Sequence, residues 1–206
     1  MRKLLLVLVL MSQQTVSAAE AAPSDVARGF YAWRVASSTS GAPEPAELAE
    51  MRGFITPELA CMLDASRHFR DAGAKAFPGD KPPYVEGDFY SSAFEGPTRF
   101  AVKQTRSLGA RAQVLMHFFL DDEAGGKDRK GWHDRVHLQL IDGKWAISDI
   151  EYRAGFEFGN AGRLLPGLYR VMARDDKAMG WRASEAKVCR PRVKHAPKIV
   201  SVKTQK

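Results

Sequence analysis

From residue 98 to residue 152 the chain alternates apolar and polar side chains almost without a break, and no other stretch limits the choice of fold so strongly. Phe100 and Val102 stand between polar neighbours. Val114, Met116 and Phe118 share one parity of a long strand over residues 110–120, and Val136, Leu138 and Leu140 alternate with Arg135, His137 and Gln139. A period of two marks half-buried strands, because successive side chains point to opposite faces of a sheet. Asp142-Gly143, between Ile141 and Lys144, tolerates the two positive φ angles of a type I′ turn, which makes the last two strands antiparallel neighbours. Segment 121–131, rich in acids, glycines and basic residues, reads as a solvated hairpin loop.

Helices precede these strands. Ser24 is a good N-cap, and Val26, Phe30 and Trp33 recur at i, i+4 and i+7, predicting an amphipathic helix over 25–37. A short helical piece follows at 45–52. Thr56 then caps a helix with Pro57 at its first position, where the missing N–H costs nothing; it runs to about Asp71, with Gly73 near its end. Between residues 75 and 97, prolines and glycines alternate with Phe77, Tyr84, Phe89, Tyr90 and Phe94. Five aromatics predict a packed loop, since a disordered linker is normally poor in them. After Tyr152 a Gly-rich stretch leads to a short helix near Leu164–Met172, which Pro166-Gly167 would delay or break. Helices first and hairpins second define an α+β domain, with helices over one face of an antiparallel sheet of about four strands.

The N-terminus reads as a secretory leader over residues 1–18. Arg2 and Lys3 precede eight apolar residues, Leu4 to Met11, and Val16-Ser17-Ala18 has the small-residue pattern of a cleavage site. Eight residues rise only about 12 Å as a helix, far short of a hydrocarbon core of roughly 30 Å, so no transmembrane span is expected. The first cysteine is Cys61, which argues against a lipidated N-terminus and for a periplasmic protein. In that compartment Cys61 and Cys189 are expected to form a disulfide. Cys61 lies off the apolar stripe of Leu59, Met62, Leu63 and Phe69, so it is no obvious core thiol.

The net charge of +7 resides in the C-terminal segment: residues 182–206 hold eight Lys or Arg against Glu185 alone, and the other 181 residues carry 23 charges of each sign. The expected organisation is a leader (1–18), one domain (24–181) and a basic irregular tail (182–206), solvated or drawn weakly to an anionic surface. Nucleic acid is not an expected partner outside the cytoplasm.

No nucleophile elbow, Walker loop, dinucleotide fingerprint, H-E-x-x-H or C-x-x-C is present, and no cofactor or metal is expected. His133 and His137 lie on a strand, where four residues span about 13 Å, too far to share one zinc ion. His117, flanked by Leu115 and Phe119, reads as a partly buried hydrogen-bonding residue. Asp149 shares parity with Trp145 and Ile147 and so is expected on the core side of the last strand. There it either accepts hydrogen bonds at a sheet-to-helix junction or lines a cavity as a general base, with Tyr152, Tyr31, Trp33, Asp88 and Glu95 as candidate companions.

Tyr31 and Trp33, Phe54 to Leu59, Gly87-Asp88-Phe89, Glu95-Gly96, and Trp132 leading to Gly143-Lys144-Trp145-Ala146-Ile147-Ser148-Asp149-Ile150-Glu151-Tyr152 together resemble the YbjP-like domain-of-unknown-function group of bacterial exported proteins. The resemblance covers roughly residues 25–170. It implies a cystatin-like or nuclear transport factor 2-like cone, a curved antiparallel sheet wrapped around a helix, and carries over no catalytic residue. The sequence favours a non-enzymatic exported protein that binds a protein, peptide or envelope component. The alternative is a small-molecule enzyme using the cone cavity with Asp149 as base.

Overall fold

The computed structural model describes residues 21–121 and 131–190. The leader expected over 1–18, most of the loop at 121–131 and the tail beyond Arg190 lie outside the described residues. Three helices come first: α1 (Pro23–Ser37), α2 (Pro45–Met51) and α3 (Pro57–Ala76), each begun by a proline whose missing N–H falls among the unpaired donors of a first turn. Ser24 lies inside the first turn of α1, whose N-cap is Ala22. Thr56 caps α3, its Oγ1 accepting the Leu59 N–H at 3.3 Å. That helix passes Asp71 and runs through Gly73. A Cβ there would come within 2.9 Å of Pro83, so Gly73 serves close packing rather than termination.

The sheet is an antiparallel meander of β1 (Arg99–Leu108), β2 (Arg111–Phe119), β3 (Trp132–Ile141), β4 (Lys144–Tyr152) and the two-residue β5 (Gly162–Arg163), in that spatial order. Asp142 and Gly143 both take positive φ, 48° and 77°, as the type I′ turn requires. Helix α1 lies on one face and inserts Phe30 and Tyr31, with the Tyr31 ring 4.7 Å from that of Phe118. Ile147 is fully buried beside them, and Trp145 packs partly buried against the same core. The outer border of β4 is covered twice, by a parallel bridge from Ile55 to Ile147 and by β5. The opposite border is β1, which pairs only with β2 among the described residues and carries Arg99, Lys103 and Arg106.

Loop 77–98 is packed through Phe89 and Tyr90, which join a line of rings from Trp181 and Phe69 through Tyr84 to Phe30. Phe77 and Phe94 of the same loop stay exposed. After β5 comes α4 (Leu164–Met172). Pro166 sits at its third position, within the first turn, so the helix is neither delayed nor broken. The ordered body continues past Trp181 into α5 (Ser184–Lys187), with Ala183, Ala186 and Cys189 buried. The described part of the segment expected to be irregular, 182–190, is thus packed. Cys61 on α3 and Cys189 stand at 2.03 Å between sulfurs, joining positions 128 residues apart.

Candidate functional site

Three places in the structure gather polar groups, and the sequence-predicted site residues fall at the first two or on the surface. Tyr31, Asp88 and Tyr152 meet inside the domain, under loop 77–98. The Tyr31 hydroxyl donates to the Tyr90 carbonyl at 2.7 Å and that of Tyr152 to the Phe89 carbonyl at 2.6 Å. Arg34 Nε donates to Asp88 at 2.9 Å, with both side chains almost wholly buried. Burial pushes the Tyr31 and Tyr152 phenols well above their ordinary range, which fixes them as donors. It also pushes the Asp88 carboxyl up, against the pull of Arg34. Asn160 donates to the Asp88 and Ser91 carbonyls at 2.5 and 2.7 Å. These groups tie the loop to α1 and the sheet, and of the Asp88 carboxyl only Oδ1 is paired, Oδ2 being buried without a hydrogen-bond partner.

The centre of this network is a residue that the sequence reading passed over. Asp134 is fully buried and accepts from the Ser92 N–H at 2.7 Å, the Ser92 hydroxyl at 2.5 Å, the Trp132 indole at 3.1 Å and the Arg153 N–H at 2.8 Å. Its signal was available: Asp134 shares parity with Val136 and Leu138, which places a carboxylate in the core row of β3. Trp33 and Glu95 do not join it. The Trp33 indole donates to Glu50 at 2.5 Å on the helical surface, and Glu95 is exposed in the loop.

Asp149 does not share a face with Trp145 and Ile147 as parity alone predicts. The β3–β4 register pairs Leu138 with Ile147 but His137 with Asp149, so Ser148 is an extra residue, a β-bulge. The insertion resets the alternation, turning Ile150 to the core opposite Val136 and Asp149 to the outer side opposite His137. There Asp149 Oδ1 accepts the N–H of Leu165, in the first turn of α4, at 2.9 Å and that of Ile150 at 2.8 Å, while Oδ2 takes Arg163 Nε at 2.8 Å. The carboxylate caps α4 from a neighbouring strand. A groove of about 560 Å³ opens beside it, lined by Glu58, Tyr169, Arg170 and Arg190 among others. In it the Tyr169 hydroxyl donates to Glu58 at 3.2 Å and the Arg190 guanidinium lies over the Tyr169 ring.

The third place is the outer face of the sheet, away from α1, which the sequence reading did not single out. Alternation sends Gln113, Leu115 and Arg135 to this side, a register shift at Lys103 turns Gln104 and Arg106 onto it, and Arg153 comes to it beyond the bulge at Ser148. These six residues line a groove of about 240 Å³. An adjoining depression of about 450 Å³ is lined by Leu115, Trp132, His133, Arg153 and Ala154. Arg135 reaches Glu151 at 3.0 Å and Arg153 reaches it at 3.7 Å, while Arg106 has no ion pair among the described residues. His117 and His133 are cross-strand partners with stacked rings 4.2 Å apart, and His117, expected to be a hydrogen-bonding residue, is partly buried but its Nδ1 meets no partner among the described residues. Among the described residues no group of three or more His, Cys, Asp or Glu is placed to hold a metal ion, and no helix is long and apolar enough to cross a membrane.

No family model matches the chain, and no curated protein does. Solved structures similar to it include the Tae3–Tai3 type VI effector–immunity complex from Ralstonia pickettii, at 20% identity and a TM-score of 0.38 over 66% of this chain and 100% of that one. The native form of the same complex gives 20% and 0.37, over 65% and 94%. A SEC-C motif protein from Rhodopseudomonas palustris is 18% identical with a TM-score of 0.35, covering 64% of this chain and 79% of that one.

Proposed function

We propose that this chain is an exported, non-enzymatic binding protein of the YbjP-like kind that works through its outer sheet face, recognising a protein or envelope component in the periplasm. The observation that carries the reading is a contrast in how polar groups are used. Inside, the phenols of Tyr31 and Tyr152 and the carboxylate of Asp134 are committed to partners within the chain, as is that of Asp149 under α4. Outside, Arg106 and the two glutamines face solvent around a groove. Export is supported by the leader pattern and by the cysteine pair at bonding distance, a feature of oxidising compartments. The groove beside Asp149 is what favours the rival enzymatic reading. A base needs a lone pair directed at substrate, and this carboxylate already meets three donors.

A photo-crosslinking amino acid at Gln113, compared with one at Lys187 in living cells, tests the reading. Discrete adducts from position 113 alone, with the protein recovered from the osmotic-shock fraction lacking residues 1–18, are the expected result. Identical patterns at both positions, or retention of the leader in the cytosol, would overturn it.

A further inference from the structure

We infer that the outer face of the sheet takes an acidic segment of a partner protein, its carboxylates meeting Arg106, Arg135 and Arg153 and its apolar side chains resting on Leu115; this rests on the binding reading above. The groove and the adjoining depression share Leu115 and Arg153, so they form one trough across the sheet. Among the described residues three guanidinium groups line it and one carboxylate, Glu151, stands beside them, pairing with Arg135 and Arg153. Outside the tail the chain carries balanced charge, so this excess is a concentration of positive charge at one place rather than a general basicity. No lysine is among the described residues that line the trough. A planar guanidinium meets a carboxylate through two parallel N–H···O bonds, and the amides of Gln104 and Gln113 add neutral donors beside it.

The layout distinguishes a peptide from a single phosphate. Gln104, Leu115, Arg135 and Glu151 form one row across the strands, with Arg106 in the row on one side and Arg153 toward the other. Arg106 on β1 and Arg153 just past β4 are three strand spacings apart, about 14 Å across the sheet. They suit charges spread along a chain, and Leu115 between them suits an apolar residue between two acidic ones. Phe156, exposed beside Trp132 with ring centroids 5.5 Å apart, extends the apolar surface at the Arg153 end. Arginine and aromatic side chains around a dry centre are the composition of protein interface hot spots.

The test uses the mature chain with its disulfide intact and a fluorescent peptide of alternating Glu and Leu, followed by anisotropy at low salt. Binding should weaken about tenfold or more in the double variant Arg106→Glu, Arg153→Glu, whose substituted side chains are exposed, and should fade as salt is raised. A Gln-for-Glu peptide should not bind. Equal affinity of the parent and the double variant for the Glu peptide overturns the inference. So does loss of binding to phosphatidylglycerol vesicles in the double variant with no peptide binding by either protein. That second result would leave the binding reading standing with a lipid-headgroup ligand. Absence of crosslinked adducts at Gln113 removes the reading itself.

Discussion

Two carboxylates of one hairpin show how the fate of a residue is set. Asp134 lies in the core row of β3 and is matched by four donors, so removing it leaves those donors buried without an acceptor. Asp134→Ala should lower stability by about 3–5 kcal/mol in urea titration, in keeping with breaking one side of a buried charged network. Asp149→Ala should cost about 1–2 kcal/mol, the worth of a helix cap, and Asp149→Asn less, since the amide oxygen still accepts the Leu165 N–H. His117 and His137 give a pH signature. Burial lowers both below the ordinary 6.5, helped at His117 by His133 and Lys103 and opposed at His137 by Glu151. The unfolded chain therefore binds protons more readily than the folded one as pH falls below about 6.5, and stability declines over that window. Melting temperatures should be level between pH 7 and 8 and fall toward pH 5.5. The double variant His117→Gln, His137→Gln should flatten that slope.

At the level of elements, Ser148 matters more than its side chain suggests. It is the one residue that lets Ile147 and Ile150 both face the core although three positions apart, and it hands Asp149 to α4. Deleting Ser148 would leave Asp149 opposite His137 and Ile150 opposite Val136 in an unbroken ladder, so that variant should still melt cooperatively, whereas inserting a second residue after Ser148 would turn Ile150, Glu151 and Tyr152 to the wrong faces and should abolish the cooperative thermal transition. This also marks the limit of what the sequence discloses. The period-two pattern and Asp142-Gly143 made β3, β4 and their pairing legible, because alternation and turn chemistry are local. A bulge inserts one residue without any compositional mark at Ser148, so the face of Asp149 was not legible. Pro166 and Gly73 misled for a related reason. Their usual meaning as breakers assumes helix interiors facing water, but one sits in a first turn and the other against Pro83. Of the arginines on the outer face only Arg135 was readable by parity: Arg106 shares the parity of Val102 and Arg153 that of Ile147, and one bulge in each strand, at Lys103 and at Ser148, turns them outward.

For the molecule as a whole, the link from Cys61 to Cys189 fastens the last described turn to α3 and spans most of the folded chain. Closing a loop that long restricts the unfolded ensemble by about 5 kcal/mol on the chain-entropy view. Reduction, or the pair Cys61→Ser and Cys189→Ser, should lower the urea midpoint and steepen the transition, since the uncrosslinked chain exposes more surface on unfolding. Equal midpoints with and without reductant would show that α5 holds its place by packing alone. The α+β class was evident from the order of helices and hairpins, while the packing of residues 182–190 was hidden by their basic composition, which outweighed the small apolar side chains Ala183 and Ala186 that α3 and α4 receive.

The two borders of the sheet are not alike. One is closed by Ile55 and β5, the other ends at β1 with its amides and carbonyls turned outward beside Arg99, Lys103 and Arg106. Among the described residues β1 is the one long border open to backbone pairing, and two copies meeting there would use up each other's vacancy. Growth by that route halts at a pair, since a shared β1 leaves no second long open border among the described strands.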